Sequence, residues 1–168
     1  LAGWQLEAHQ TSPDDTVPLV QATWMLWVGF MIIIAAAPFH SWVAMVARHS
    51  PPLAVAFVLS VVQGVVALFL MDTLAEFDWL RGNAQFFMAL RLSGMAMAVV
   101  GAAFVFAQRS LGGLMAYSAL IDWGATLVAL GLGTPDGAAV AATTIIVRVL
   151  ALVVWGVGAG VLAGRLGD

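Results

Sequence analysis

Residues 32–42 read Ile32-Ile33-Ile34-Ala35-Ala36-Ala37-Pro38-Phe39-His40-Ser41-Trp42, and the reading of this stretch decides the fold. Upstream, Leu19 to Ala37 is an uncharged apolar run that Pro38 ends. Downstream, a polar loop carries His40, Arg48 and His49 before Ser50-Pro51-Pro52 opens a second uncharged run, Leu53 to Met71. A helix needs about 17–25 residues to cross the hydrocarbon core of a bilayer, and both runs have that length. The stretch is therefore expected to be the turn of a membrane-spanning helix pair.

Working outward, the rest of the chain repeats the pattern. Of its 168 residues 62% are hydrophobic and only 9% are charged, more apolar surface than a soluble domain of this size can bury. Backbone groups in lipid must be satisfied internally, which leaves helices or a closed barrel. The apolar runs are continuous rather than alternating, so the class is all-α and polytopic. Spans are expected over 19–37, 53–71, 86–107, 111–133 and 137–162, as one transmembrane domain (19–168) behind a polar external segment (1–18). The absence of cysteine excludes disulfides, thiolate metal sites and iron–sulfur ligation. A net charge of −3 is too small to argue for nucleic acid. The chain opens at Leu1 and has no basic flank ahead of a short apolar core, so it reads as a processed chain or a piece of a longer one rather than a signal peptide plus mature protein.

Five spans put the termini on opposite sides. One side gathers Glu7, Asp14, Asp15, Asp72, Glu76, Asp78 and Asp136 with a single arginine, Arg81; the other holds Arg48, Arg109 and Arg165. Basic residues near span ends favour the cytoplasmic face, so the N-terminus is expected outside and the C-terminus inside. Trp42 and Trp79 fall near the interfaces, whereas Trp123 and Trp155 fall deeper and read as packing residues. Met88, Met95 and Met97 read as lipid-facing or core fillers. Gly156, Gly160 and Gly164, at spacing four, read as a helix-packing stripe.

Three charges fall within the spans: Arg91, Asp122 and Arg148. An ionisable group near mid-membrane costs ~2.5–3.5 kcal/mol on insertion scales, so each needs a reason. At ~1.5 Å per residue, Asp122 and Arg148 each lie about 17 Å from the outer ends of consecutive spans, which predicts an Asp122–Arg148 ion pair. Arg91 lies about 8 Å from the outer end of its span and can snorkel. The pair has a plain reading, a buried contact that fixes helix register, and a sharper one, a proton or ion relay. A guanidinium does not release its proton in proteins, which makes it a poor relay.

The Pro38-Phe39-His40-Ser41-Trp42 stretch, with Pro51-Pro52 after it, resembles a signature of the antiporter-like membrane subunits of respiratory complex I and of Mrp-type cation/proton antiporters: a helix ending in Pro-Phe-His-x-Trp-Leu-Pro, a short loop, then a proline-started helix. Arg109-Ser110-Leu111-Gly112-Gly113-Leu114-Met115-Ala116-Tyr117-Ser118 resembles that family's Asp-x-Lys-Arg-x-Leu-Ala-Tyr-Ser, with Gly124 at the glycine that follows. The fifth span, from Arg148 to Gly158-Ala159-Gly160, is a weaker third match. The resemblance implies about fourteen helices with two inverted five-helix repeats. This chain would cover the end of one repeat and the start of the next. It also implies that both signature loops face the cytoplasm, on the arginine-rich side. The departures concern the proton path. Ile33 stands where the family has a lysine, and Gln63 is the only polar candidate for a lysine or histidine mid-way along the next helix. Gly112-Gly113 replace Lys-Arg, Asp122 replaces a histidine found in some members, and Arg148 and Leu152 replace a histidine and a lysine. There is no lysine in the chain.

The resemblance therefore implies a membrane subunit, or fragment of one, of an NADH:quinone oxidoreductase-like energy-converting complex in a bacterial inner membrane or its equivalent. Its expected role is mainly structural, its partners other membrane subunits and lipid. No nucleotide loop, redox-cofactor site or catalytic constellation is visible, so neither cofactor nor metal is expected. Two alternatives stand beside this. One is an active proton or cation translocator using Gln63, Asp122, Arg148, His40 and Arg91 as a rewritten polar path. The other is an unrelated helical anchor or pigment-binding subunit with His9, His40 or His49 as ligand.

Overall fold

A computed structural model describes residues 17–36 and 39–166. The polar segment before residue 17, with His9, lies outside the described residues, as do Ala37 and Pro38. Chain order is α1 (Val17–Ile34), α2 (Ser41–His49), α3 (Pro52–Phe57), a π-helical turn (Val58–Val62), α4 (Gln63–Glu76), α5 (Asp78–Arg81), α6 (Ala84–Val105), α7 (Leu111–Leu130) and α8 (Pro135–Leu166). The π turn is continuous with α3 and α4. Among the described residues there are thus five helices long and apolar enough to cross a membrane: Val17–Ile34, Leu53–Glu76, Ala84–Val105, Leu111–Leu130 and Pro135–Leu162. The protein is an all-α, polytopic, integral membrane protein.

The helices end where local chemistry ends them, which shifts several expected bounds. The first span stops at Ile34, before the expected Ala37. Ala35 takes φ +64°, its N–H bonds Ile32 O, and the Ala36 N–H returns to Met31 O at 2.8 Å. This is a left-handed helix terminus made with alanine where glycine is usual. The second span runs on past Met71 to Glu76, because Asp72 can reach water without breaking the helix, and Phe77 in extended conformation ends it. The third span starts at Ala84, two residues early, because the Asn83 side chain accepts from the N–H groups of Gln85 and Phe86 at 3.1 and 3.2 Å. Ser110 caps α7 through the Gly113 N–H at 3.1 Å. Gly133, at φ +66°, turns the chain before Thr134 caps α8 through the Gly137 N–H.

Residues 41–49 are helical where a polar loop is expected. Nothing in Ser41–His49 breaks a helix, and α2 forms there. Its Val43 and Ala47, four apart, are buried against α7, where the Ala47 carbonyl sits on Gly112. Trp42 Nε1 donates to Ile32 O at 3.1 Å and ties α2 to α1.

The tightest pair is α6 with α7. A Cβ on Gly94 would lie 2.5 Å from Gly124 O, and one on Gly124 would lie 2.6 Å from Gly94 O, so the two backbones touch reciprocally. Close approach of this kind is how helices associate where lipid supplies no hydrophobic drive. The expected stripe on the fifth span contributes less: Gly164 has no neighbour within 4 Å of an added Cβ, and Gly160 meets only Leu53. Two apolar clusters fill the interior, one around Met31, Leu70, Leu90, Met97 and Trp123, the other around Ala35, Leu59, Met115 and Leu152. Met97 is buried as a core filler, whereas Met88 and Met95 face outward.

Candidate functional site: the buried polar centre

Gln63 is the first residue after the π turn. A π turn closes i→i+5 bonds and holds one residue more than an α turn, which rotates the following face by about 100°. Within it, the Ser60 hydroxyl donates to the Ala56 carbonyl. Gln63 is 1% exposed, and its Nε2 donates to Ile34 O at 3.2 Å. That carbonyl is one of those left free by the early end of α1, so the amide satisfies a group the helix itself cannot. Gln63 Oε1 has no hydrogen-bond partner among the described residues. Gly64 packs directly on Val149 and Ile145 of α8, which flank Arg148.

Arg148 is 4% exposed. Its Nη2 donates to Ala119 O at 2.7 Å, and its guanidinium carbon lies 4.1 Å from the centroid of the Trp123 ring. A carbonyl and an indole face together give a buried cation an acceptor and a negative quadrupole. Nε and Nη1 of Arg148 and Nε1 of Trp123 have no hydrogen-bond partner among the described residues.

The expected Asp122–Arg148 contact is replaced by this arrangement. Asp122 lies on the exposed side of α7, and the ion pair found among the described residues is Arg81–Asp78 at 2.9 Å. The matched depths brought the two helices together correctly; the side chains point to different sides. Trp123, one position on, faces α8 instead.

The other candidates are dispersed. His40 sits half-buried in the turn before α2, its ring centroid 6.5 Å from that of Phe104, which stacks on Tyr117 at 5.6 Å. Arg91 is exposed on α6 and, with Arg81, lines a small cavity of about 270 Å³ beside Gly131 and Gly133. A larger apolar cleft of about 560 Å³ adjoins it, between Leu68, Met71, Phe87 and Leu130. Sequence reasoning named Gln63 and Arg148 but missed their acceptors, Ile34 O and Ala119 O, because backbone carbonyls carry no sequence signal. No group of three or more His, Asp or Glu is placed to hold a metal ion among the described residues.

The fold and its centre define a class: a polytopic helical membrane protein whose interior holds a fixed cation and an amide. The sequence profile described as NADH:quinone oxidoreductase/Mrp antiporter, TM matches residues 5–160. Among curated relatives, an NADH-quinone oxidoreductase subunit N from Orientia tsutsugamushi is 30% identical over 127 residues, 74% of this chain and 26% of the relative. Subunit N 1 from Acidiphilium cryptum is 32% identical over 134 residues, 79% of this chain and 27% of the relative. Subunit N from Bdellovibrio bacteriovorus is 29% identical over 140 residues, 83% of this chain and 29% of the relative. No solved structure gives a significant match. The chain belongs to the NADH:quinone oxidoreductase/Mrp antiporter family of transmembrane proteins, and it spans about a quarter of the length of these relatives.

Proposed function

We propose that this chain serves as a structural part of an antiporter-like subunit in an NADH:quinone oxidoreductase-like complex, holding helices around a fixed charge rather than passing protons. The observation that supports this is the set of buried polar and charged residues among the described ones: Thr23, Ser60, Gln63, Thr73, Ser93, Thr126 and Arg148. None of them exchanges a proton near neutral pH. Gln63 Nε2 and Arg148 Nη2 each donate to a backbone carbonyl, on α1 and α7 respectively. Following the arginine distribution, the α2 side and the C-terminus face the cytoplasm.

A second reading, translocation along a rewritten polar path, is favoured by the buried unpaired atoms Gln63 Oε1 and Arg148 Nε and Nη1. Buried polar atoms of this kind are satisfied by ordered water, and water conducts protons. The experiment is purification in mild detergent through a tag on this chain, with mass spectrometry of its companions. Flux is then measured in vesicles for the parent and for Gln63→Leu and Arg148→Met. The structural reading expects quinone-oxidoreductase subunits in the preparation and flux per complex unchanged in both variants. Loss of flux in stably folded variants would favour the second reading.

A further inference from the structure

Each transmembrane helix leaves one face uncovered, and these faces differ in kind. On α8 the uncovered residues include Ile146, Val147, Leu150, Val153, Val154 and Val157, all apolar. On the second span they include Val61, Val65, Leu68 and Phe69, also apolar. Such faces suit lipid. On α7 the uncovered residues are Leu111, Leu114, Ser118, Asp122 and Ala125, which recur at three and four residues and form one stripe. Near the midpoint of the helix this stripe carries a carboxylate, Asp122. Asp122 is about 16 Å along the helix from Leu111 and about 12 Å from Leu130, too deep for a short side chain to reach either interface.

We infer that this stripe is a docking seam for another transmembrane helix, one that carries a lysine or arginine at mid-depth opposite Asp122. Charge complementarity fixes the chemistry of the occupant. A carboxylate within a span is held by a partner of opposite charge. Arg148, on the neighbouring helix, donates to Ala119 O and lies over the Trp123 ring, and no ion pair to Asp122 exists among the described residues. Arg91, the other cation within a span, packs beside Gly131 near the far end of α7. Ser118 and Ala125 bracket Asp122 with small side chains, so a neighbouring backbone can come close. Ser118 already donates to Met115 O, leaving its lone pairs open to an incoming donor. The inference rests on the multi-subunit reading above and names the chemistry of the partner.

The test uses the intact complex from native membranes. A photoreactive benzoylphenylalanine is placed at Leu114 or Ala125, with Val154 on α8 as control, and cross-linked peptides are identified by mass spectrometry. The expected product joins α7 to an apolar segment with a lysine or arginine in its central third. Cross-links to lipid alone, or to a segment with no cation there, would overturn the seam. Unmutated protein supplies a second measurement that folding defects do not touch. Dicyclohexylcarbodiimide is an apolar reagent for carboxyls that face lipid or detergent, so an Asp122 covered by a partner helix should stay unmodified in the complex and gain the adduct mass once detergent dissociates it. Adduct formation at Asp122 in the intact complex refutes the ion pair. Native gel migration separates the two ideas. A chain that migrates alone ends the multi-subunit reading, whereas a chain in a large complex with lipid-only cross-links ends the seam alone.

Discussion

Replacing Arg148 by methionine tests whether the buried guanidinium is held by Ala119 and Trp123 or by a carboxylate. The change removes a charge-assisted hydrogen bond of about 1.5–3 kcal/mol and a desolvated cation–π contact of about 2 kcal/mol. It also relieves the ~2.5–3.5 kcal/mol of holding an ionised group within the bilayer. The difference is a net loss of about 1 kcal/mol. Ala119 O keeps its helical acceptor role, so no orphan carbonyl adds to this. Trp123→Ala should cost more, about 3–5 kcal/mol, because it opens a cavity where a 1% exposed side chain stood and also strips the cation of its face. Unfolding of the purified chain in mixed micelles with rising dodecyl sulfate, followed by far-ultraviolet circular dichroism, gives the order. A greater loss with Arg148→Met than with Trp123→Ala would refute the assignment of the guanidinium to Ala119 and Trp123. Adding Asp122→Asn completes a double-mutant cycle. A coupling below about 0.5 kcal/mol is expected for side chains that do not touch, and about 1 kcal/mol or more would restore the direct ion pair.

Other changes probe the scaffold, each read by the same unfolding assay. Gly124→Ala drives a methyl group into the Gly94 carbonyl and should destabilise by about 1–3 kcal/mol, whereas Gly158→Ala, with no atom within 4 Å, should be neutral or stabilise by about 0.5–1 kcal/mol. Ala35→Gly relieves the left-handed backbone at φ +64° and should stabilise by about 1 kcal/mol; a loss instead would mean that the buried methyl group matters more than the dihedral. Asn83→Ala removes the cap of α6 and should cost about 0.5–2 kcal/mol, with amide exchange faster at Gln85 and Phe86.

Much of the fold was legible because lipid leaves few options. Apolar runs of membrane-crossing length with at most one charge each, ended by proline, glycine or a charge cluster, placed five helices, and matched depths of Asp122 and Arg148 brought α7 and α8 together. The bounds slipped where a side chain other than the obvious breaker decided the end: Asn83 extended α6 backwards, and Ala35 ended α1 before Pro38 was reached. The helix at Ser41–His49 escaped because polarity was read as loop, although Val43 and Ala47 share a buried face. At the centre, depth along an axis was readable from residue counts, but rotation about the axis was not. Asp122 and Arg148 therefore agreed in height and differed in direction. The π turn before Gln63 adds to that difficulty, since its extra residue shifts the face of everything after it and nothing in Val58–Val62 announces it. The reciprocal glycine contact of Gly94 and Gly124 was hidden for another reason: it is a match between two helices, and neither motif is conspicuous alone, whereas the regular stripe at Gly156, Gly160 and Gly164 drew the eye.

The bonds from Gln63 to Ile34 and from Arg148 to Ala119 span the same distance along the chain, twenty-nine residues. In both, a donor on one span reaches back to a carbonyl on the span before it. Each is a latch that closes only after the later span has entered the bilayer. A chain that emerges from the ribosome N-terminus first would therefore set its first hairpin when Gln63 arrives, and the hairpin of α7 and α8 when Arg148 does. The order of synthesis then becomes an order of fastening, and a defect in either latch should show first as a delay in insertion of the newly made chain.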